Sequence, residues 1–273
     1  MIPQRNVRFT TLICILLAAG LWASAALAGT LMQVRVDRVL DGDTVVIEGG
    51  ERVRLLGIDA PEKGEPFSEL ALKRLREMTS GRIVELDVCG ERDPYGRMLA
   101  LIRVGGENVN SALLREGLAL PMLIPPCGRP VAAAVLRDAS RALIEGKGLY
   151  ADPEYEVVSH ERAADHIGRK VVVKGRVRKL FKGGKAWHLN FEEDWKTDFT
   201  AVLFREGRQR FEELGLDPED LVGTEVLVIG KVKQYNGPEI VLRGPDRILP
   251  IAVTAPESGT GGEKGTGWRE DGR

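Results

Sequence analysis

The sequence predicts a mainly β protein with some α-helix: an OB-like five-stranded barrel carrying three helices, followed by a second OB-like β-barrel. Three observations predict it. Short runs of valine, isoleucine and leucine alternate with glycine-bearing turns, helical apolar spacing is confined to a few brief stretches, and a new strand-rich block begins after Asp152-Pro153. A chain of 273 residues with 43% hydrophobic side chains can fill two modest cores and is unlike a disordered protein.

Element by element, Val34, Val36 and Val39, then Val45-Val46-Ile47, lead to the turn signal Glu48-Gly49-Gly50 and on to Val53-Arg54-Leu55-Leu56, which reads as a hairpin between Met32 and Ile58. Apolar positions at Phe67, Leu70, Ala71, Leu75 and Met78 predict a helix over 66–80, stopped by Gly81. Strands follow over 83–88 and 98–104. Asn110 reads as the cap of a short helix through Leu114, and 131–144 as a third helix. The second block, 156–252, offers strands at 170–177, 186–191, 199–204, 227–229 and 240–242, with one helical stretch at 209–214. Residues 253–273 are glycine-rich and polar, the composition of a disordered tail.

The first 28 residues have the pattern of a secretory leader. Arg5 and Arg8 precede the apolar run Leu12 to Leu21, and Ala26-Leu27-Ala28 supplies small residues for cleavage before Gly29. The run is too short for a retained anchor, so the expected product is periplasmic or secreted, without stable membrane association. Cleavage removes Cys14 and leaves Cys89 and Cys127, which either join in the oxidising compartment or remain two separate buried thiols. A net charge of −1 excludes a passive coat for DNA, although an enzyme needs only local positive charge at the phosphate it attacks.

Three stretches of the first block gather acids and arginines. Asp41-Gly42-Asp43-Thr44 interrupts the strand pattern; alone it is a bulge, or a place where Asp43 turns a carboxylate toward a hard cation. Arg54-Leu55-Leu56-Gly57-Ile58-Asp59-Ala60-Pro61-Glu62 brackets an apolar strand with an arginine and two acids, and Asp93-Pro94-Tyr95-Gly96-Arg97 is by itself an ordinary tight turn. Together, in this order and followed by Val109-Asn110-Ser111-Ala112-Leu113-Leu114-Arg115-Glu116-Gly117, they resemble the thermonuclease (micrococcal nuclease) family over residues 31–152. The family fold is an OB-like five-stranded barrel with three helices, in agreement with the element order.

The resemblance implies that Asp43, Asp59 and the backbone carbonyl of Ala60 hold a calcium ion, with Asp41 supporting the site from behind. It assigns Arg54 and Arg97 to the phosphate and Glu62 to the proton of the attacking water, with Tyr95 touching a terminal phosphate. The implied reaction is hydrolysis of DNA and RNA to 3′-phosphate ends. A planar guanidinium suits a phosphate because it donates two bonds at once and stays charged. Two features depart from the family. Pro94 stands where the family has lysine, and residues 120–127 lack the tyrosines that stack on a bound base. The same alignment sets Cys89 and Cys127 on segments flanking one side of the cleft, which favours a disulfide between them. The family often has threonine at the place of Ala60, a change of small consequence for a main-chain ligand.

In the second block, Lys170, Lys174, Arg176, Arg178, Lys179, Lys182 and Lys185 cluster near Trp187, Phe191 and Trp195. Two readings compete: a solvated edge strand with its aromatics in the core, and a platform for single-stranded nucleic acid, distinguished by whether a tryptophan is exposed. His160, His166 and His188 show no acid or cysteine at ligand spacing, so no zinc site is expected. The alternative to an enzyme is a non-catalytic nucleic-acid or protein binding module on the same fold. A weaker third reading is an exported structural protein whose two barrels bind a cell-envelope partner.

Overall fold

The structure is a computed structural model that describes residues 30–194 and 197–251; the expected leader at 1–28, Trp195 and the expected tail at 253–273 lie outside the described residues. In chain order the first half contains β1 (Thr30–Val39), β2 (Thr44–Ile47), β3 (Arg52–Leu55), β4 (Ile58–Asp59), α1 (Ser68–Thr79), β5 (Ile83–Arg92), β6 (Met98–Val104), β7 (Glu107–Asn108), α2 (Val109–Arg115), β8 (Leu120–Pro121) and α3 (Ala132–Ile144). Strand β1 pairs with β2 and β5, β2 with β3, and β5 with β6, all antiparallel. A parallel β3–β6 pair then closes a five-stranded barrel. Its interior is filled by Val36, Val45, Val53, Leu86 and Ile102, each fully buried.

The first strands form a three-stranded meander rather than one hairpin. Asp41 to Asp43 lie in the turn between β1 and β2, and the irregularity in the ladder falls between Val36 and Arg38. Helix α1 buries Ala71, Leu75 and Met78, spaced to face one side, and Gly81 beyond it takes a positive φ of 71°. Helix α2 is capped by Asn108, whose side chain accepts a hydrogen bond from the Ser111 N–H at 3.0 Å, and not by Asn110 as the sequence suggested. Asn110 is 2% exposed and points inward. It accepts from the Ile102 N–H and donates to the carbonyls of Leu56 and Ala100, tying α2 to β6 and to the end of β3.

The second half contains β9 (Val157–Ser159), β10 (Lys170–Arg176), β11 (Lys179–Lys182), β12 (Ala186–Asn190), β13 (Thr200–Phe204), α4 (Arg205–Glu213), β14 (Glu225–Lys231), β15 (Lys233–Tyr235), β16 (Gly237–Leu242) and β17 (Ile248–Pro250). They form two sheets, in the orders β17-β14-β10-β9 and β11-β12-β13-β16-β15. Two bent runs belong to both sheets: β10 continues through Val177-Arg178 into β11, and β14 through Val232 into β15. The pairings therefore run from β10/β11 to β12, β13, β16, β15/β14 and back to β10, the same ring as in the first half. Here the parallel pair is β13–β16, and α4 follows β13 much as α1 follows β3 and β4.

Val171, Val172 and Val173 of β10 are all buried, although a strand points successive side chains to opposite faces. The reason is that both faces are covered. Val171 and Val173 join the second core, whereas Val172, Leu227, Ile229 and Leu249 pack into the core of the first half. Among the described residues no helix is long and apolar enough to cross a membrane.

Candidate active site

The three acid- and arginine-bearing stretches meet at one end of the first barrel. Asp43, 7% exposed, ends the β1–β2 turn, where its N–H donates to the Asp41 carboxylate at 3.0 Å. Its own carboxylate accepts from the Ala60 N–H at 2.7 Å and from the Thr44 hydroxyl at 3.1 Å. The turn passes close to α1. A Cβ on Gly42 would stand 2.6 Å from that of Ala60 and 2.7 Å from that of Ala71, so only glycine lets this turn approach.

Arg54 on β3 joins the second stretch to the first. One terminal nitrogen, Nη2, lies 3.0 Å from Asp43 Oδ2 and 2.9 Å from Asp59 Oδ1. The other, Nη1, donates to the carbonyls of Leu55 and Ile58. The guanidinium thus bridges a buried carboxylate and an exposed one at the end of β4, holding two negative charges together. Burial raises the Asp43 pKa to about 6 despite the neighbouring Arg54.

Arg97 brings in the third stretch. Asp93 accepts from Arg97 twice, from Nε at 2.6 Å and from the backbone N–H at 2.8 Å, in a tight turn whose Gly96 takes φ 77°. Burial works against ionisation of Asp93, but the bonds and charge from Arg97 outweigh it and hold the carboxyl below its usual range. Nη1 of Arg97 reaches the Thr44 hydroxyl at 3.4 Å. One connected chain of polar contacts therefore runs Asp93, Arg97, Thr44, Asp43, Arg54, Asp59. Tyr95, 83% exposed, projects from the same turn, with the Arg97 guanidinium 5.3 Å from its ring centre.

Glu62 is exposed just beyond β4. Its backbone N–H is held by the Glu65 carboxylate at 2.9 Å, while its own carboxylate makes no hydrogen bond among the described residues. The chain thus carries an unpaired carboxylate shortly after Asp59, the exposed acid that Arg54 joins to the buried Asp43. Two carboxylates with the adjacent Ala60 backbone form an all-oxygen donor set, suited to a hard divalent cation such as calcium.

Asp93 and Thr44 carry no role in the sequence reading, yet they orient Arg97 and connect it to Asp43. Both lay within the quoted stretches, where an acid four residues before an arginine was the available signal. Cys89 and Cys127 are joined, with Cα atoms 5.7 Å apart. The bond ties β5, just before the Asp93 turn, to the loop leading into α3.

A second polar cluster corrects the expectation about the histidines. His160 Nε2 lies 3.2 Å from Glu161 and 3.8 Å from Glu192, with its ring packed against Phe191. The long excursion between residues 160 and 192 conceals this proximity in the sequence. Arg178 also pairs with Glu192, at 3.2 Å.

The sequence profile of the family described as "Staphylococcal nuclease homologue" matches residues 52–152. "Endonuclease YncB" of Bacillus subtilis (strain 168) is 43% identical over 100 residues, 33% of this chain and 47% of that protein. "Thermonuclease" of Staphylococcus intermedius is 38% identical over 101 residues, covering 33% of this chain and 60% of the relative. The match thus spans less than two thirds of either protein. "Micrococcal nuclease" of Shigella flexneri is 34% identical over 130 residues, 43% of this chain and 73% of its own length. On that coverage, and with the three stretches gathered on a closed five-stranded barrel, the chain belongs to the staphylococcal nuclease homologue family.

Proposed function

We propose that the protein is an exported, calcium-dependent nuclease that hydrolyses phosphodiester bonds of DNA and RNA and leaves 3′-phosphate ends. The observation that carries this reading is the single network joining Asp43, Arg54, Asp59 and Arg97, with the exposed carboxylate of Glu62 following Asp59 closely in the chain. A binding module has no use for this set of acids and arginines gathered in one network. The nuclease names of the relatives point the same way.

Asp43, Asp59 and the Ala60 carbonyl would hold the calcium, which when bound withdraws charge from a phosphate oxygen. Asp41 fixes the backbone of Asp43 and so keeps that carboxylate in place. Arg97, held by Asp93 through Nε, keeps Nη2 for the scissile phosphate. Arg54 contributes its charge from behind the acids. Both cations oppose the negative charge that grows on phosphorus-bound oxygens as the five-coordinate transition state forms. Glu62 orients the attacking water and takes its proton. The water oxygen bonds to phosphorus, the bond to the 5′ oxygen breaks, and that oxygen leaves as a hydroxyl after taking a proton from solvent. Tyr95 donates to the terminal phosphate from the exposed turn. The second barrel offers a further contact for single-stranded nucleic acid.

The test is cleavage of single- and double-stranded DNA and of RNA, with calcium or with a chelator, alongside Glu62→Ala and Arg97→Ala. Calcium-dependent cleavage that both substitutions depress by about two to three orders of magnitude is expected. A folded wild-type protein that cuts none of these substrates would overturn the assignment. Export predicts a mature N terminus at Gly29, read by mass spectrometry of protein from the periplasm or medium.

A further inference from the structure

Strand alternation sorts the side chains of β11, β12 and β13 onto two faces. Leu180, Leu189 and Ala201 face the second core. Lys179 pairs with Asn190, Phe181 with His188, and Asn190 with Thr200, so these five stand together on the opposite, outer face. The β15–β16 hairpin overhangs that face with Tyr235 and Asn236 at its tip. Between them runs an open groove of about 1220 Å³.

The aromatic groups in the groove are not those the sequence singled out. Phe191 is fully buried, and Trp187 lies partly buried under Lys182 and Arg208, at 5.0 and 5.3 Å from its ring centre. Instead Phe181 is 57% and Tyr235 70% exposed, one on the floor of the groove and one at its overhang. Most surface aromatic area on a protein is covered; two exposed rings facing one channel leave apolar faces for a ligand to cover.

From this geometry we infer that the groove of the second barrel binds a single strand of nucleic acid, with bases stacking on Phe181 and Tyr235 and phosphates meeting Arg176 and Lys179. Asn190, Asn236 and Thr200 offer amide and hydroxyl groups to base edges. The inference rests on the nucleic-acid reading of the first barrel and names where the strand is held. The charge lining the groove is even, because Arg176, Arg178 and Lys179 are matched by Glu192, Glu193 and Glu239. That balance disfavours the dense phosphates of a duplex and makes stacking the main source of affinity, as on other single-strand platforms. The pair Arg178–Glu192 is a surface pair that a phosphate can exchange with at little cost. The β12 entry turn, Gly183-Gly184-Lys185, carries no acid where the first barrel has Asp41 and Asp43, so the two acids of that turn have no counterpart in the second barrel.

The experiment is fluorescence anisotropy of a labelled oligothymidylate of about ten nucleotides, long enough for one OB-type site. It uses the full chain carrying Glu62→Ala, in chelator. Phe181→Ala and Tyr235→Ala, both at exposed positions, are each expected to weaken binding by about tenfold. The logarithmic salt slope is expected near −2, from three cations at ~0.7 each. Affinity that stays within twofold in both variants, or no binding by the parent chain, overturns the proposal. Calcium-dependent cleavage of a dinucleotide, too short to span the barrels, is measured in parallel on chains with native Glu62. Its retention in Phe181→Ala leaves the nuclease reading standing if the groove fails, and its absence in the native chain overturns that reading while the groove is judged on binding alone.

Discussion

The two halves of the molecule share one ring of strand pairings and differ in what sits at its edges. In the first barrel the turn into the second ring strand carries Asp41 and Asp43, and the turn between the last two carries Asp93, Tyr95 and Arg97. In the second barrel the corresponding turns carry Gly183-Gly184-Lys185 and Tyr235-Asn236. An exposed tyrosine stands at the later turn of both, at 83% and 70% exposure, but in the first it sits beside an arginine pinned by an acid of the same turn. The lesson is that the barrel sets where loops converge, and the loop residues decide which chemical groups meet there.

The comparison can be broken at several strengths. Arg97→Ala should lower cleavage by about a thousandfold while leaving oligonucleotide binding by the second barrel in chelator within twofold; loss of both together would mean that the barrels do not divide the labour. Reduction of the Cys89–Cys127 bond opens a loop closed over a separation of 38 residues, worth about 3–4 kcal/mol by chain entropy. The loss should show in hydrogen exchange as faster opening of β5 and little change in β13.

Asn110→Ala strands the Ile102 N–H and leaves the carbonyls of Leu56 and Ala100 without their side-chain partner, at a cost of about 3 kcal/mol in denaturant unfolding. Asn108→Ala, a lost helix cap, should cost about 1 kcal/mol. Reversal of that order would restore Asn110 as the cap. The smallest effect is one of pH. Because Asp43 titrates near 6 in the fold and lower when unfolded, its contribution favours the fold in acid and fades as pH rises through 6. The metal-free protein should therefore gain about 1 kcal/mol at this site between pH 7.5 and 5.5, as read by urea unfolding with Asp43→Asn as the reference. Calcium should abolish the gain by keeping the carboxylate ionised.

How much of this was legible in the sequence depended on how local each feature is. Helix α1, strand β6 and the acids and arginines of the network lie in short stretches whose pattern or order is enough to single them out. The cap of α2 was misplaced because Asn108 and Asn110 are both good caps, and only the packing against β6 turns Asn110 inward. The pairing of β4 with β8 was invisible, since two-residue strands have no periodicity. Closure of the second barrel depends on bends at Val177-Arg178 and Val232, which no alternation reveals. The exposed rings were missed for a related reason. Trp187 is covered by Lys182 and Arg208, which lie across a turn or far from its strand pattern in the chain, whereas Phe181 stands outward because its neighbours Leu180 and Leu189 fill the core.

The contact of Gly42 with Ala60 and Ala71 has a consequence for the way such a chain can change over time. Three small residues on a turn, a loop and a helix must stay small together, since enlarging any one displaces the carboxylates next to it. Mutational tolerance near the chemistry is therefore narrowed by a helix that takes no part in it. A library of random variants should find Ala71, a residue with no polar atom in its side chain, among its inactive positions.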